Sequence, residues 1–294
     1  MTHHGIQSAA RLTALSPFTI RAWELRHGVV QPRRDSRGRR SYSKRELQRL
    51  MLLAKATRQG HRVGEIARLS DARLGRLVMA DDDALLARAE RSRRAIVDAV
   101  RDYEVDALCR ACGQALAQLP PLEAIERVLT PALHEIGERW LAGAISVAQE
   151  NLLSGCVQRV LFAQLHGTPA AAGGEPFLCG TLSGESHSLG SLMAAYLASA
   201  LGYPVYFVGE NLPAEEFRLV LNQSKAAAAA ISVATDEHAA QLPAQLQVLC
   251  RGLRPGLPVY VGGRSAQRLR DARLPAQCRV LDSMGGLLDV LLEA

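Results

Sequence analysis

Two sets of residues in this 294-residue chain are of types that do chemistry. The first is a run of cations. VVQPRRDSRGRRSYS (29–43) carries five arginines around Ser36 and Gly38, with Tyr42 after them. A glycine-containing turn flanked by arginines suits a hairpin laid against phosphates, and phosphate charge supplies most of the affinity in nucleic-acid binding. The second set is Glu185-Ser186-His187 with Gly190, then Ser232-Val233, then Gly262-Gly263. One loop histidine is more often a surface or capping residue, and a lone Gly-Gly is an ordinary turn. Here all three groups follow apolar runs, at the strand ends where open parallel sheets hold their ligands.

The elements that must position these groups are legible along the chain. Residues 6–15 form a short amphipathic helix. Ser16 can N-cap a second helix with Pro17 at its first position, and Gly28 ends it. On that helix Ile20 and Trp23 turn inward, while Thr19, Arg21 and Arg26 turn outward. Helical periodicity runs on to about 166. A softer boundary falls at Asp81-Asp82-Asp83, where the charge changes sign and a new helix could start. Residues 82–166 read as four helices broken at Pro120-Pro121, which suits a bundle. HGTPAAAGGEP (166–176) reads as a linker. Beyond it strands and helices alternate: FLCGTL, YPVYFVG, KAAAAAISVAT, LPVYVGG and CRVLDS are the strands, which predicts a doubly wound parallel sheet. The expected domains are 1–78, a helix-turn-helix head; 79–166, a helical bundle; 167–175, a linker; and 176–294, an α/β Rossmann-like domain.

Composition narrows the classes further. Aromatic residues are only 4%, so the core must rest on Ala, Leu and Val. No apolar run reaches the ~18 residues of a membrane span, and the start lacks a signal-peptide apolar region, so a cytoplasmic protein is expected. Six thinly spread cysteines argue against a disulfide framework; Cys109 and Cys112 read as small buried hydrophobes, and His3-His4 as a frayed terminus. Residues 1–78 hold 17 of the 35 Lys/Arg and 5 of the 29 Asp/Glu, a net of +12, which leaves the remainder at −6. A basic head on an acidic body points to a nucleic-acid-binding module joined to a part with another task.

SPFTIRAWELRHGVVQPRRDSRGRRSYS (16–43) resembles the MerR family of transcription regulators. The resemblance implies a winged helix-turn-helix in a dimer, with Arg21, Arg26, Arg33, Arg34, Arg39, Arg40 and Tyr42 at a double-stranded DNA operator. Glu-x-His-x-x-Gly at 185–190, Ser232-Val233-Ala234 and Gly262-Gly263 resemble the cobalamin-binding domain shared by methylmalonyl-CoA mutases and methionine synthase. Glu185 stands where that pattern has Asp, and Ala234 where it has Leu. The resemblance implies that His187 ligates cobalt and that Glu185 holds its other ring nitrogen. Ser186, Gly190, Ser232, Val233, Gly262 and Gly263 would line the cofactor's lower side.

The middle part, with Trp140, Val147, Glu150 and Asn151, is similar to the upper cap of the CarH/LitR-type light-sensing repressors. Those join a MerR head, a helix bundle and a cobalamin domain in this order. Their cap reads roughly Trp-x(9)-Glu-His, and Asn151 here replaces that His; Leu141 also stands where some members have one. The resemblance thus implies a non-enzymatic, light-responsive repressor. Bound adenosylcobalamin would set its homo-oligomeric state, dimer or tetramer, and hence its DNA affinity. A regulatory protein partner is a further expectation. The alternatives are a corrinoid carrier for methyl transfer, against which the basic head argues, and a MerR-type regulator that answers to cofactor supply or protein partners without light.

Overall fold

The computed structural model describes residues 4–13, 15–34, 38–167 and 175–293. The chain divides into two compact units, Met1–Arg88 and Ala89–Ala294. The first holds β1 (His4–Gly5), α1 (Ile6–Thr13), α2 (Pro17–His27), β2 (Arg33–Arg34), β3 (Arg40–Tyr42), α3 (Lys44–Arg58) and α4 (Val63–Ile66), and α5 (Asp71–Arg101) begins in it. Local chemistry sets these bounds. Ser16 accepts the Thr19 N–H at 2.9 Å, Pro17 opens α2, and Gly28 closes it at φ 60°. Ser43 and Glu46 form a reciprocal capping box on α3. β3 is the middle strand of a three-stranded antiparallel sheet, with His4 opposite Tyr42 and Arg34 opposite Arg40. His4 is therefore a strand residue, not part of a frayed end. Ile20, Val29, Val30, Tyr42, Leu50 and Leu53 close the core of this unit, with Trp23 packed on its edge.

No helix starts at Asp81. α5 runs unbroken through that run of acids. Neither Gly nor Pro interrupts it there, and two of the carboxylates are used sideways: Asp82 pairs with Lys55, and Asp81 with His61 at 2.7 Å.

The second unit opens with the end of α5 and continues with α6 (Val105–Gln118) and α7 (Pro121–Ala124), which passes through a π turn at Ile125–Leu129 into α8 (Thr130–Leu141). Gly143, at φ 71°, turns the chain into α9 (Val147–Gly167). The predicted linker falls almost wholly on 168–174, outside the described residues. Then come β4 (Phe177–Gly180), α10 (Leu189–Ala200), β5 (Val205–Phe207), α11 (Ala214–Gln223), β6 (Ala228–Ser232), α12 (Asp236–Cys250), β7 (Val259–Gly262), β8 (Cys278–Val280) and α13 (Met284–Glu293). The sheet is parallel throughout, in the order β5-β4-β6-β7-β8. Helices cover both faces, so β6 is buried at every position and alanine serves as a strand residue there.

α10 is buried on all sides from Ser191 to Ser199, because α9 covers the face that the sheet does not. Phe162 of α9 meets Phe207 of β5 edge to face, with ring centroids 5.4 Å apart. Glu126 accepts the Gly285 N–H at 2.9 Å. These contacts tie the helices before the sheet to the sheet's α10 side.

Candidate cofactor site and nucleic-acid interface

The strand order reverses between β4 and β6, and ligands of open α/β sheets bind at such a switch point. Glu185 lies in the loop after β4 and spans that point. Its side chain is only 3% exposed. One carboxylate oxygen accepts the His187 backbone N–H at 2.9 Å and faces the His187 ring Nδ1 at 2.7 Å. The other accepts the N–H groups of Ala234 and Thr235 in the loop after β6, at 2.8 and 3.3 Å. Burial pushes this carboxyl up. The backbone donors of Ala234 and His187, with the His187 ring, outweigh burial and hold it below its ordinary value. An ionised carboxylate only accepts, so Nδ1 of His187 carries a proton, and in the neutral ring the lone pair is then on Nε2. The His187 side chain is 63% exposed, and among the described residues Nε2 has no hydrogen-bond partner.

The loop itself is pinned. Thr181 Oγ1 donates to the Glu185 carbonyl at 2.5 Å, and Asn211 accepts the Gly184 N–H at 2.7 Å. Gly190, in the first turn of α10, lies against β6: a Cβ there would stand 2.3 Å from Ser232 Oγ. Gly263 has φ +108°, and its Cβ would stand 2.3 Å from the Val233 carbonyl, so a side chain is excluded on both counts. The structure thus brings Glu185, His187, Gly190, Ser232, Val233 and Gly263 to one end of the sheet. Ser186 is exposed there, Ser232 and Val233 are buried, and Gly262 is half-buried at the end of β7.

Sequence reasoning missed several neighbours. Thr235 caps α12, and its hydroxyl lies 2.5 Å from His238 Nδ1, which is itself 3.6 Å from the second Glu185 oxygen. Ser265 donates to the Ala234 carbonyl and to Asp236, and a cavity of about 440 Å³ is lined by Thr235, Arg264, Ser265 and Arg268. Asp-Glu-His directly after the third strand was the available signal, but helix caps commonly have that composition.

Trp140 and Leu141 end α8 and Val147 begins α9; all three are exposed, Trp140 at 44% and Val147 at 54%. Glu150 is half-buried and accepts the Ser154 hydroxyl at 2.7 Å; Asn151 is exposed. Cys109 of α6 is disulfide-bonded to Cys156 of α9, 47 residues on. The reading of Cys109 as a plain buried thiol is corrected accordingly: packing of α6 on α9 brings together two sulfurs whose spacing carries no signal. Cys112 is buried and free, its thiol pushed up to about 12 by burial.

In the head, Arg21, Arg26, Arg33, Arg34 and Arg39 are exposed. Thr19 is half-buried, its hydroxyl 2.8 Å from Ser16 Oγ within the cap. One expectation needs correction. Tyr42 is fully buried and its hydroxyl donates to Glu24, so burial and that bond raise its pKa. Arg40 pairs through Nε with the same Glu24 at 2.8 Å and is half-buried. Strand alternation turns Tyr42 into the core, and Glu24 draws Arg40 against α2.

Comparison with known proteins gives one family match on the head and one on the helices before the sheet. Residues 5–73 match the model of the MerR HTH family regulatory proteins, and 92–163 match a B12 binding domain. These matches define a MerR-type DNA-binding regulator with a cobalamin-binding part. The chain is 33% identical over 268 residues to the HTH-type transcriptional repressor CarH of Myxococcus xanthus, covering 89% of each chain. It is 26% identical to the repressor CarA of the same organism, over 89% of this chain and 87% of that one. Among solved structures, the monomethylamine corrinoid protein of Methanosarcina barkeri superposes with a TM-score of 0.56 at 17% identity, covering 69% of this chain and 98% of that one, a likeness of fold. The chain belongs to the B12-binding, MerR-type transcription regulators that include CarH. It is a regulator rather than an enzyme, and no helix among the described residues is long and apolar enough to cross a membrane.

Proposed function

We propose that this protein is a light-responsive repressor in which adenosylcobalamin sets homo-oligomeric state and DNA affinity. The observation that carries the cofactor's place is the buried Glu185 carboxylate holding His187 Nδ1–H, with Nε2 directed away from the pair. A neutral imidazole fixed in that tautomer is the donor that a cobalt ion takes. Gly190, Ser232, Val233, Gly262 and Gly263 would hold the cofactor's lower side, with Ser186 beside the ligating histidine.

When bound, the cofactor supplies a cobalt–carbon bond that light breaks. Trp140 and Val147 would cover the upper group, with Glu150 and Asn151 beside them. Their exposed apolar area is what such a cover would bury. Residues 79–166 would act as a four-helix bundle whose closure links cofactor state to assembly. Residues 1–78 would act as a winged helix-turn-helix on duplex DNA, with 167–175 joining the bundle to the cobalamin domain of 176–294. An additional regulatory protein partner is compatible with this scheme.

A reading without light draws on Leu141 and Asn151, neither of which offers an imidazole. The test is a visible spectrum of the full chain with adenosylcobalamin, before and after illumination. A light-driven change without a second histidine ligand is expected; no change would leave a regulator that answers only to cofactor supply.

A further inference from the structure

α2 exposes two large apolar side chains that the head's packing does not use. Phe18 is 79% exposed and Leu25 is 88% exposed, while Ile20 on the opposite face is fully buried. Phe18, Arg21 and Leu25 stand at i, i+3 and i+7, one stripe of the helix with the guanidinium between the two apolar groups. A solvated helix face is ordinarily polar, so this stripe is shaped for something. The surroundings say what. The stripe lies in a segment of net charge +12, beside exposed Arg26, and β2 of the same unit presents Arg33 and Arg34. A second copy of this head would bring the same positive charge to the contact. A polyanion meets it with the opposite sign.

We infer that Phe18 and Leu25 are specificity residues that pack on thymine methyl groups in the DNA major groove, on either side of the base pair that Arg21 contacts. This rests on the reading of α2 as the helix that enters the groove. Thymine alone presents a methyl group there, and apolar side chains are what recognise it. Seven helical residues span roughly 10 Å, which is about three base-pair steps. The preferred half-site therefore carries two A·T pairs about three steps apart, with a G·C pair between them for Arg21.

The test begins with selection of duplexes from a random pool by the full chain, with and without adenosylcobalamin. Affinity is then measured for the selected duplex and for versions in which deoxyuridine replaces each thymine in turn, removing only the methyl. At two positions per half-site the wild-type protein should lose about three- to fivefold in affinity, the worth of one buried methyl. Phe18→Ala should abolish that loss at one position and Leu25→Ala at the other. Both side chains are exposed, so both variants should keep the wild-type thermal melt. Wild-type affinity indifferent to deoxyuridine everywhere overturns the proposal, as does a methyl preference that survives both variants. A change of DNA-free self-association in either variant, with no methyl effect, would assign the stripe to a second copy and overturn it equally. Failure to enrich any duplex would instead count against the head as a DNA-binding unit.

Discussion

Glu185 holds His187 across 2.7 Å while its other oxygen is held by the backbone of the loop after β6. The same carboxylate therefore orients a candidate metal ligand and joins two strand ends across the switch point of the sheet. The backbone at Ala234 makes this join, which is why Ala in place of Leu does not disturb it.

His187→Ala should abolish the base-off, histidine-ligated cobalamin spectrum, because no other described side chain takes the same place. Glu185→Gln should weaken cobalamin binding by roughly 10- to 100-fold, the usual effect of losing a partner that orients a metal-bound histidine. Spectral titration with adenosylcobalamin checks both. An unchanged spectrum in His187→Ala would remove His187 from the cobalt.

The burial of Tyr42 separates two kinds of variant in the head. Arg33→Ala and Arg34→Ala should each flatten the slope of log affinity against log salt by about 0.9, one phosphate contact apiece. Tyr42→Phe should leave that slope alone and reduce stability to urea by about 1.5–3 kcal/mol, the worth of a hydrogen bond to a charged group. A salt-slope change in Tyr42→Phe, with stability intact, would return Tyr42 to the DNA surface.

Much of this arrangement was legible in the sequence, for identifiable reasons. Pro17 and Gly28 bracket α2 because a fixed φ and a left-handed residue act locally. The five parallel strands showed through their apolar runs even where three of the five residues of β6 are alanine. What escaped were relationships that depend on distant packing. Nothing near Tyr42 announces that Glu24, 18 positions earlier, would take its hydroxyl. The 47-residue separation of Cys109 and Cys156 is likewise silent until α6 lies on α9. Asp81-Asp82-Asp83 looked like a helix start because acids favour that position, but Lys55 and His61 supply partners that let α5 pass through.

Arg49 is a hub in the head. Its guanidinium donates to the carbonyls of Val29, Leu69 and Ala67 and to Asp71, the last at 2.5 Å. The hydrogen bond from Arg49, aided by Arg45, holds the Asp71 carboxyl below its ordinary value. A depressed folded pKa means that the pair's stabilisation is complete above the unfolded value near ~4 and is lost as pH falls through the folded one. Asp71 is a third exposed, so the contribution should stay below about 1 kcal/mol. Asp71→Asn should be less stable than wild type at pH 6, and the two should converge below pH 4. Parallel stability curves down to pH 2.5 would contradict this.

The Cys109–Cys156 bond closes a long loop through the helices before the sheet. By loop entropy its reduction should destabilise that part by up to about 4 kcal/mol. Thermal melts of the full chain with and without a thiol reductant measure it, with Cys109→Ala as the control that should not respond. Equal melts for the oxidised and reduced wild-type chain would mean the bond contributes no stability.

In the proposed function a cofactor held by His187 controls the head's affinity for DNA. This control is tested most directly by measuring duplex affinity of the full chain in the dark, with and without adenosylcobalamin and again after illumination, alongside His187→Ala. Wild type should bind about 5- to 150-fold more tightly with the cofactor in the dark, the usual range of coupling between sites. Light should reverse the gain, and His187→Ala should show neither effect. Wild-type affinity that is the same under all three conditions, or a cofactor response preserved in His187→Ala, would contradict the account.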